Sequence, residues 1–207
     1  MKVLLLNGSP HPAGCTYTAL SEVAGALNEA GVDTEILQAG RDNVGGCLGC
    51  GGCRKTGRCV RGGLVNDILD RADEFDALVI GAAVHYASPN GAFLALLDRL
   101  FFAGGSRAFA NKPGAAVVSA RRAGTTASLE VLQKYINYSN MLLVGSQYWP
   151  MVHGNSAEEV RQDEEGMQIM RQLGRNMAWL LHCIEAGRAA GIPDPEHEPR
   201  IGTNFIR

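Results

Sequence analysis

The chain has 207 residues, of which 46% are apolar and 19% charged, and its net charge is −2 at pH 7. This length is sufficient for one domain with a sizeable core, and the composition is that of a globular chain. The small negative charge gives no support for nucleic-acid binding, and no apolar run is long enough to cross a membrane. The start MKVLLL is too short for the apolar region of a signal peptide, so we expect a cytoplasmic protein with reduced thiols.

Apolar runs and helical periodicities alternate along the chain. Short strands are predicted at residues 3–6, 32–37, 77–80, 115–119 and 141–144. Helices are predicted from about residue 16 to the stop signal Gly31, and at residues 64–72, 90–102 and 125–138. A capping box at residues 156–159 opens a last helical region, where apolar residues recur every three or four positions. From Gly191 the chain is rich in proline and charge, which predicts a domain at residues 1–190 and an extended tail at residues 191–207.

This order of elements predicts an α/β fold with a doubly wound five-stranded parallel sheet. Ligands of such sheets bind beyond the carboxyl ends of the strands. The loops after the first, third and fourth predicted strands are therefore expected to surround one crevice. The helix at residues 90–102 is apolar on more than one face, which also suggests a subunit interface.

The first of these loops, at residues 8–18, has the sequence GSPHPAGCTYT. It matches neither the dinucleotide-binding glycine pattern nor the phosphate loop of nucleoside triphosphatases. It is rich in hydroxyl groups and leads into a helix N-terminus, where backbone N–H groups, Ser9, Thr16 and Thr18 can bind a phosphate monoester. The alternative is that Thr16 is an ordinary N-cap of the helix.

The second loop, at residues 82–91, follows a strand that is predicted to be buried. The rings of His85 and Tyr86 can flank a flat heterocycle there, and the small residues around them let backbone amides approach its edge. The alternative for His85 is a structural histidine with satisfied partners.

The third loop, at residues 119–126, places Arg121 and Arg122 at the entrance of a helix. Two arginines there can hydrogen-bond the carbonyl edge of a ring, stabilise a reduced anionic flavin or attract the phosphate of a dinucleotide. The alternative is a basic turn that contacts only solvent.

Four cysteines lie in a glycine-rich run at residues 45–63, with the spacing C-x2-C-x2-C-x5-C. They are Cys47, Cys50, Cys53 and Cys59. This compact spacing is close to the ferredoxin runs that hold a [4Fe-4S] cluster, and the basic residues of the run favour thiolates. Three alternatives remain open, namely a zinc site, a disulfide framework and a loop of free thiols. The two remaining cysteines, Cys15 and Cys183, are predicted to be buried packing residues.

Four segments of the chain resemble the iron–sulfur flavoproteins of the NADPH-dependent FMN reductase superfamily, which have a flavodoxin-like fold. In chain order the segments are VLLLNGSPHPAGCT, CLGCGGCRKTGRC, AAVHYASPNGAFLALLDR and KPGAAVVSARRAGTT. The resemblance covers most of residues 1–155 and implies bound FMN together with a [4Fe-4S] cluster on the four cysteines. It also implies a homo-oligomer, a dimer or tetramer in which the cluster loop lies near the flavin of a neighbouring subunit.

The resemblance further implies which residues contact the flavin. Its phosphate is expected at Ser9, His11, Cys15, Thr16, Tyr17 and Thr18. Its ring is expected near Val84, His85 and Tyr86, and Ala83, Asn90 and Gly91 are expected as further cofactor-binding residues. Its pyrimidine edge is expected near Ser119, Arg121, Arg122, Gly124 and Thr125. This chain departs from the family pattern at three places. It has His11 and Cys15 where the family often has a basic residue and asparagine, and Ala-Val-His at residues 83–85 where the family often has Pro-Val-Tyr. At residues 65–67 it has Val-Asn-Asp where the family often has paired aspartates.

The implied function is that of an FMN-dependent oxidoreductase that passes electrons between FMN and the cluster, with the chemistry on the flavin and no catalytic side chain. NAD(P)H, another small molecule or a ferredoxin-type protein is the expected electron partner. Two other functions remain open. One is a cluster-free NAD(P)H-dependent FMN or quinone reductase on the same fold, and the other is a non-enzymatic binding module closed by zinc.

Overall fold

A computed structural model describes residues 1–41, 44–199 and 201–205 of the chain. Within these ranges the strands are β1 Lys2–Asn7, β2 Asp33–Gln38, β3 Ala77–His85, β4 Ser88–Pro89, β5 Pro113–Ala120, β6 Leu142–Leu143 and β7 Met151–His153. The helices there are α1 Cys15–Glu29, α2 Cys53–Thr56, α3 Leu64–Asp70, α4 Gly91–Leu100, α5 Ser106–Ala108, α6 Thr125–Tyr138, α7 Ala157–Gln162 and α8 Glu164–Ala189. A 3-10 turn at Ala72–Glu74 follows α3, and a π-helical turn at Phe101–Gly105 continues α4.

The main sheet is parallel and has the strand order β2-β1-β3-β5-β6. This is the flavodoxin order, so the predicted doubly wound fold is confirmed. The strand predicted at residues 141–144 is shorter than expected, because only Leu142 and Leu143 pair with the start of β5. β7 pairs with the end of β5, so two short segments share the outer position beside that strand.

Both faces of the sheet are buried. Leu4 and Leu6 of β1 belong to the core on one face, with α3, α4 and α6, whereas Val3 and Leu5 belong to the core on the other face, with α1 and α8. Burial on both faces explains why the strand is an unbroken apolar run rather than an alternating one.

Three helix starts can be compared with the sequence. α6 spans the predicted residues. The N-cap of α1 is Gly14, so the alternative role of Thr16 as the N-cap is wrong. Ser156 accepts a hydrogen bond from the Glu159 N–H, as in a capping box, but this box opens only the short helix α7. The side chain of Asp163 caps α8 separately.

The apolar surface of the segment predicted as a broad helix is mostly buried within the chain. Its core residues are Phe93, Leu96, Leu97, Leu100 and Phe101. Phe102, in contrast, is 53% exposed. The breadth of the apolar surface therefore needs no second subunit to explain it, and a subunit interface stays a prediction.

The two cysteines outside the cysteine run are not core residues. Cys183 is exposed on α8, so the prediction that it is buried is wrong, and Cys15 is only half-buried. Cys183 instead lines a surface pocket together with Ile184 of α8 and Leu142 of β6.

Beyond α8 the described residues 191–199 and 201–205 form neither helix nor strand and are exposed. The His197 ring contacts the side-chain amides of Asn111 and Asn140. Residues 200, 206 and 207 of the predicted tail lie outside the described residues, and the division into domain and tail stays a prediction. None of the helices described above is both long enough and apolar enough to span a membrane.

Candidate functional site

Three loops meet at the carboxyl edge of the sheet, at the ends of β1, β3 and β5. The hydroxyl groups of Thr16 and Ser119 lie 2.8 Å apart and join the start of α1 to the end of β5. A Cβ on Gly124 would lie 2.7 Å from the Cα of Ala87, so the loop after β5 also packs against the loop after β3. The three loops that were expected to surround the crevice therefore lie together at this edge.

A network of side-chain amides holds the first loop in place. The Asn7 amide donates to the Gln38 side-chain carbonyl at 2.7 Å, and the Gln38 amide donates to the Ser9 carbonyl at 2.7 Å. The Ser9 N–H in turn donates to Asn7 Oδ1 at 3.2 Å. Asn7 and Gln38 were not predicted as site residues. The signal for them in the sequence is a polar residue directly after each of the first two predicted strands, which pair with each other in the sheet.

Three helices begin at this edge of the sheet, namely α1, α4 and α6. Among the residues that the structure describes, no side chain caps their N-termini, and none of the three has an acidic residue in its first turn. In contrast, Ser156 and Asp163 cap α7 and α8. Uncapped N–H groups and the helix dipole attract negative charge, so the start of α1 suits a phosphate group.

The two threonines predicted at the phosphate already have partners within the chain. Thr16 is bonded to Ser119, and the Thr18 hydroxyl donates to the Gly14 carbonyl oxygen at 3.1 Å. Both threonines are buried. Their side chains therefore help to shape the loop, whether or not they also contact a ligand.

Ser9, His11 and Tyr17 are placed differently. The Ser9 hydroxyl accepts a hydrogen bond from the His11 N–H at 3.1 Å, which leaves its own proton for another acceptor. The side chains of His11 and Tyr17 are exposed beside the loop. Together with the backbone N–H groups at the start of α1, Ser9 is the donor that best suits a phosphate.

Cys15 lies at the first position of α1. Its thiol donates weakly to the Gly154 carbonyl oxygen at a sulfur–oxygen distance of 3.5 Å. Burial, assisted by the nearby charges of Glu159 and Glu158, raises the pKa of the Cys15 thiol above its usual value. Cys15 therefore brings a neutral thiol, not a thiolate, to the place where a phosphate is predicted.

The second loop is a tight hairpin between β3 and β4. Residues Tyr86 and Ala87 form its turn, with φ angles of 51° and 58°. A non-glycine residue in this left-handed region costs roughly 1–2 kcal/mol. Tyr86 is fully exposed, and His85 is exposed as well, so His85 is not a buried structural histidine. The strained turn thus presents two rings at the rim of the crevice.

Asn90 stands just before the first residue of α4. Its backbone N–H donates to the Ala83 carbonyl oxygen at 3.1 Å, and its side chain is 3% exposed. The side-chain oxygen Oδ1 is buried and has no hydrogen-bond partner among the described residues. An orphaned acceptor of this kind costs about 1–3 kcal/mol, so it indicates a missing donor.

The other predicted ring and edge residues border the same crevice. Ala83 and Val84 are half-buried at the end of β3, and Thr125 is buried at the start of α6. Arg121 and Arg122 are exposed, and neither forms an ion pair with any described residue. Two free positive charges therefore lie at the end of β5.

The four cysteines of the run between β2 and α3 line one pocket. Cys53 is buried at the start of α2, Cys59 is half-buried, and Cys47 and Cys50 are exposed. Phe102 and Ala103 of the π-helical turn also line the pocket, and the Phe102 carbonyl oxygen lies 3.8 Å from the Cys53 sulfur. The cysteine pocket is therefore built between its own loop and the end of α4.

Cys59 is held by two side chains that were not predicted from the sequence. Asn66 clamps its backbone, because Asn66 Oδ1 accepts from the Cys59 N–H at 2.8 Å and Asn66 Nδ2 donates to the Cys59 carbonyl at 3.0 Å. Arg99 Nε donates to the Cys59 sulfur at 3.3 Å. Burial opposes ionisation of the thiol and would by itself raise its pKa. The net effect is nevertheless a pKa of Cys59 below its usual value, because the Arg99 side chain and the Arg61 N–H bond the sulfur and both arginines are positively charged.

No three Cys, His, Asp or Glu side chains among the described residues are close enough to share one metal ion. The four cysteines nevertheless line one pocket, and the two observations are compatible. A zinc ion draws its ligands around a single point, whereas each thiolate of a four-iron cluster binds a different iron atom. Four cysteines that line one pocket are a donor set that fits an iron–sulfur cluster, and the identity of the bound group stays a prediction.

Comparison with known proteins decides the family. The family model of NADPH-dependent FMN reductase matches residues 1–156, which is most of the chain and includes all three loops and the cysteine run. The chain belongs to the NADPH-dependent FMN reductase family. It is a flavin-dependent oxidoreductase that binds FMN.

Two of its most similar curated relatives are named iron-sulfur flavoproteins. The iron-sulfur flavoprotein of Methanocaldococcus jannaschii is 26% identical over 193 residues, which cover 89% of this chain and 100% of that protein. The iron-sulfur flavoprotein of Methanosarcina thermophila is 24% identical over 192 residues, covering 91% of this chain and 99% of that protein. The similarity to both extends beyond the region of the FMN reductase model, into α7 and α8.

Solved structures agree on the flavodoxin-like fold. RosB with bound 8-demethyl-8-formylriboflavin-5'-phosphate has a TM-score of 0.68 and 15% identity, with 99% of this chain and 92% of that chain covered. A flavodoxin from the domain Archaea has a TM-score of 0.60 and 14% identity, with 88% of this chain and 99% of that chain covered. At this level of identity the likeness concerns the fold of this FMN reductase family member, and the individual flavin ligands stay predictions.

Proposed function

We propose that the protein transfers electrons between FMN in the crevice and a [4Fe-4S] cluster on the four cysteines of its loop. The observation that carries this proposal is that all four cysteines line one pocket beside the end of α4, a helix whose first residue lies at the crevice. When bound, FMN supplies the redox chemistry, because its ring exchanges either two electrons or one. Similarity to two proteins named iron-sulfur flavoproteins supports the same assignment.

The chain's own contribution at the flavin is binding and orientation. The N–H groups at the start of α1 and the Ser9 hydroxyl hold the phosphate. The orphaned Asn90 Oδ1 accepts a hydrogen bond from an N–H or O–H group of the flavin, which removes the penalty of its burial. Arg121 and Arg122 supply positive charge that favours a reduced, anionic flavin.

At the cluster, the chain supplies four thiolates and a fixed frame for two of them. Cys53 is held at the start of α2 against the π-helical turn, and Cys59 is held by Asn66 and Arg99. The basic residues of the loop offset the negative charge that four thiolates bring together. This arrangement gives the cluster one side fixed by the protein core and one side, at Cys47 and Cys50, near solvent.

We infer that the solvent side is where an electron partner binds. Arg54, Lys55 and Arg61 are exposed in this loop, and none of them pairs with a carboxylate of any described residue. Positive charge without local compensation attracts an acidic partner and raises its rate of association. A small acidic electron carrier of the ferredoxin type is the partner that fits best, and a small-molecule acceptor is the alternative.

Two wider expectations complete the proposal. The exposed Phe102 at the cysteine pocket supports a dimer or tetramer in which the cluster also approaches the flavin of a neighbouring subunit. All six cysteines are free thiols in the structure, which agrees with a location in the reducing cytoplasm. Neither a nucleic acid nor a membrane is expected as a partner.

The decisive experiment is the visible spectrum of protein purified without oxygen, combined with iron, sulfide and FMN analysis. We expect flavin bands together with broad cluster absorption, and about four irons per chain for a [4Fe-4S] cluster. Cys50→Ser should lose the iron and keep the FMN, whereas the matched change Cys183→Ser on α8 should keep both. Protein with FMN but neither iron nor zinc contradicts the electron-transfer proposal, and stoichiometric zinc would assign the loop to that metal instead.

A second candidate is a cluster-free NAD(P)H-dependent FMN or quinone reductase. The matching family model is named for NADPH-dependent FMN reduction, and the free charges of Arg121 and Arg122 suit the phosphates of a nicotinamide dinucleotide. NAD(P)H oxidation that persists unchanged in Cys50→Ser would favour this candidate. Loss of electron transfer to an acceptor in that variant, while FMN stays bound, would favour the cluster.

A further inference from the structure

Arg99 is unusual among the charged side chains of this protein. It lies on α4 and is only 6% exposed, and it is the one Lys, Arg, Asp or Glu residue among the described parts of the chain that is buried. No described carboxylate forms an ion pair with it. Its guanidinium instead donates from Nε to the Cys59 sulfur at 3.3 Å and from Nη2 to the Gly62 carbonyl oxygen at 2.7 Å.

A buried guanidinium without a negative partner is strongly unfavourable, because the lost hydration of the charge is not compensated. The Gly62 carbonyl and a neutral thiol are poor compensation, since neither carries a full charge. A cluster with four thiolate ligands supplies the missing negative charge at the place to which Nε donates. A negatively charged cluster bound through Cys59 therefore explains why the Arg99 guanidinium is buried without a carboxylate partner.

We propose that Arg99 is a positioning residue that orients Cys59 as a cluster ligand and raises the reduction potential of the cluster. The proposal rests on the proposed electron-transfer function. In the one-electron step no bond forms or breaks, and the electron comes from reduced FMN or from the external electron carrier. The reduced cluster is more negative by one charge than the oxidised cluster, so a hydrogen bond and a positive charge at one of its sulfurs stabilise the reduced form more.

This role differs from that of two other basic residues near the pocket, Arg58 and Arg107. Arg58 is exposed and pairs with Asp70, so its charge is compensated outside the pocket. Arg107 is exposed and donates to the Ala103 carbonyl oxygen at 3.3 Å. Neither has a hydrogen bond to a cysteine, and solvent screens the charge of both. Arg107 is therefore a suitable control for Arg99.

The test is a redox titration of the oxygen-protected holoprotein, followed by electron paramagnetic resonance, in wild type, Arg99→Gln, Arg99→Lys and Arg107→Gln. In Arg99→Gln we expect the ratio of reduced to oxidised cluster at a fixed potential to fall about tenfold, which corresponds to a shift of about 59 mV for a one-electron couple. Arg99→Lys, which keeps the charge but not the Nε geometry, should shift the ratio less. Arg107→Gln should match the wild type.

Release of iron to a chelator gives a second readout. We expect it to be several-fold faster in Arg99→Gln than in wild type, and intermediate in Arg99→Lys. If Arg99 serves only to pack the helix, its variants will lose thermal stability with and without iron and will keep the wild-type potential, and that result overturns the proposal. Absence of iron from the wild type would overturn the electron-transfer function itself, whereas iron with an unchanged potential in Arg99→Gln would overturn only the role of Arg99.

Discussion

Asn90 and Arg99 stand at opposite ends of one helix, and each has a buried polar group that the rest of the described chain leaves uncompensated. Asn90 precedes α4 at the crevice, with its Oδ1 unpartnered, and Arg99 lies in the last turn with its guanidinium against Cys59. The two positions are nine residues apart in sequence, and nine helical steps span about 14 Å. The same rigid element therefore fixes the distance between the crevice and the cysteine pocket.

The first prediction concerns Asn90. Asn90→Ala removes the orphaned acceptor, so the flavin-free protein should keep its stability. The dissociation constant for FMN should rise about tenfold, which is the effect expected for the loss of one hydrogen bond. Titration of FMN fluorescence and thermal unfolding of the flavin-free protein measure the two effects. Asn176→Ala removes an amide that bonds the Gly145 carbonyl, and should leave FMN affinity unchanged. A stability loss without an affinity loss would make Asn90 purely structural.

The second prediction concerns the bond between Thr16 and Ser119. Thr16→Val keeps the shape of the side chain but leaves the buried Ser119 hydroxyl without its partner, which costs about 1 kcal/mol. We expect FMN binding to weaken about fivefold, because the first and third loops are no longer tied together. Thr34→Val is the matched control, since the Thr34 hydroxyl bonds to Asn28 outside the crevice. Equal FMN affinity in the two variants would show that this bond does not organise the crevice.

The sequence allowed the sheet, and the meeting of three loops at its edge, to be predicted because both depend on local signals. Unbroken apolar runs mark strands that are buried on both faces, and parallel strands place their following loops at one edge. The outer edge was predicted less well, because β6 and β7 are too short to show a pattern of their own. The burial of Cys183 was mispredicted for a related reason, since composition alone does not say which side of a helix a residue faces.

Two contacts that support the site were harder to predict, because the partners are distant in the sequence. Arg99 reaches Cys59 across 40 residues, and Thr16 reaches Ser119 across 103 residues. Such pairs depend on how helices pack, and no spacing motif encodes them. α4 carries two charged residues, Asp98 and Arg99, and only the structure shows that Arg99 is the buried one.

The third prediction concerns Gly124, which joins the second and third loops. Its φ angle is +90°, and a Cβ there would lie 2.7 Å from the Cα of Ala87. Gly124→Ala should therefore destabilise the protein by about 2 kcal/mol and weaken FMN binding, because the hairpin must move away from the third loop. Gly25→Ala on α1, where the added methyl group meets no atom within 4 Å, should instead raise stability by about 0.5–1 kcal/mol. Urea unfolding distinguishes the two outcomes, and equal stability of both variants would contradict the packing argument.

The fourth prediction is an acid dependence away from the site. Hydrogen bonds from Arg71 and then Lys2 lower the pKa of Glu35 on β2 to about 2. Because this pKa is depressed, the carboxylate stabilises the fold above its ordinary value of 4.5, and the contribution is lost as the pH falls toward 2. Glu35→Gln should lower the free energy of unfolding by about 1 kcal/mol at pH 7, a value that already allows for solvent screening. This difference in stability from the wild type should shrink steadily below pH 4.5. Urea unfolding between pH 7 and about pH 3 measures this difference in stability. The control is Glu130→Gln, which breaks only an exposed ion pair within a helix and should lower the free energy of unfolding by less than about 0.5 kcal/mol. A deficit that does not vary with pH would mean that the Glu35 charge contributes nothing.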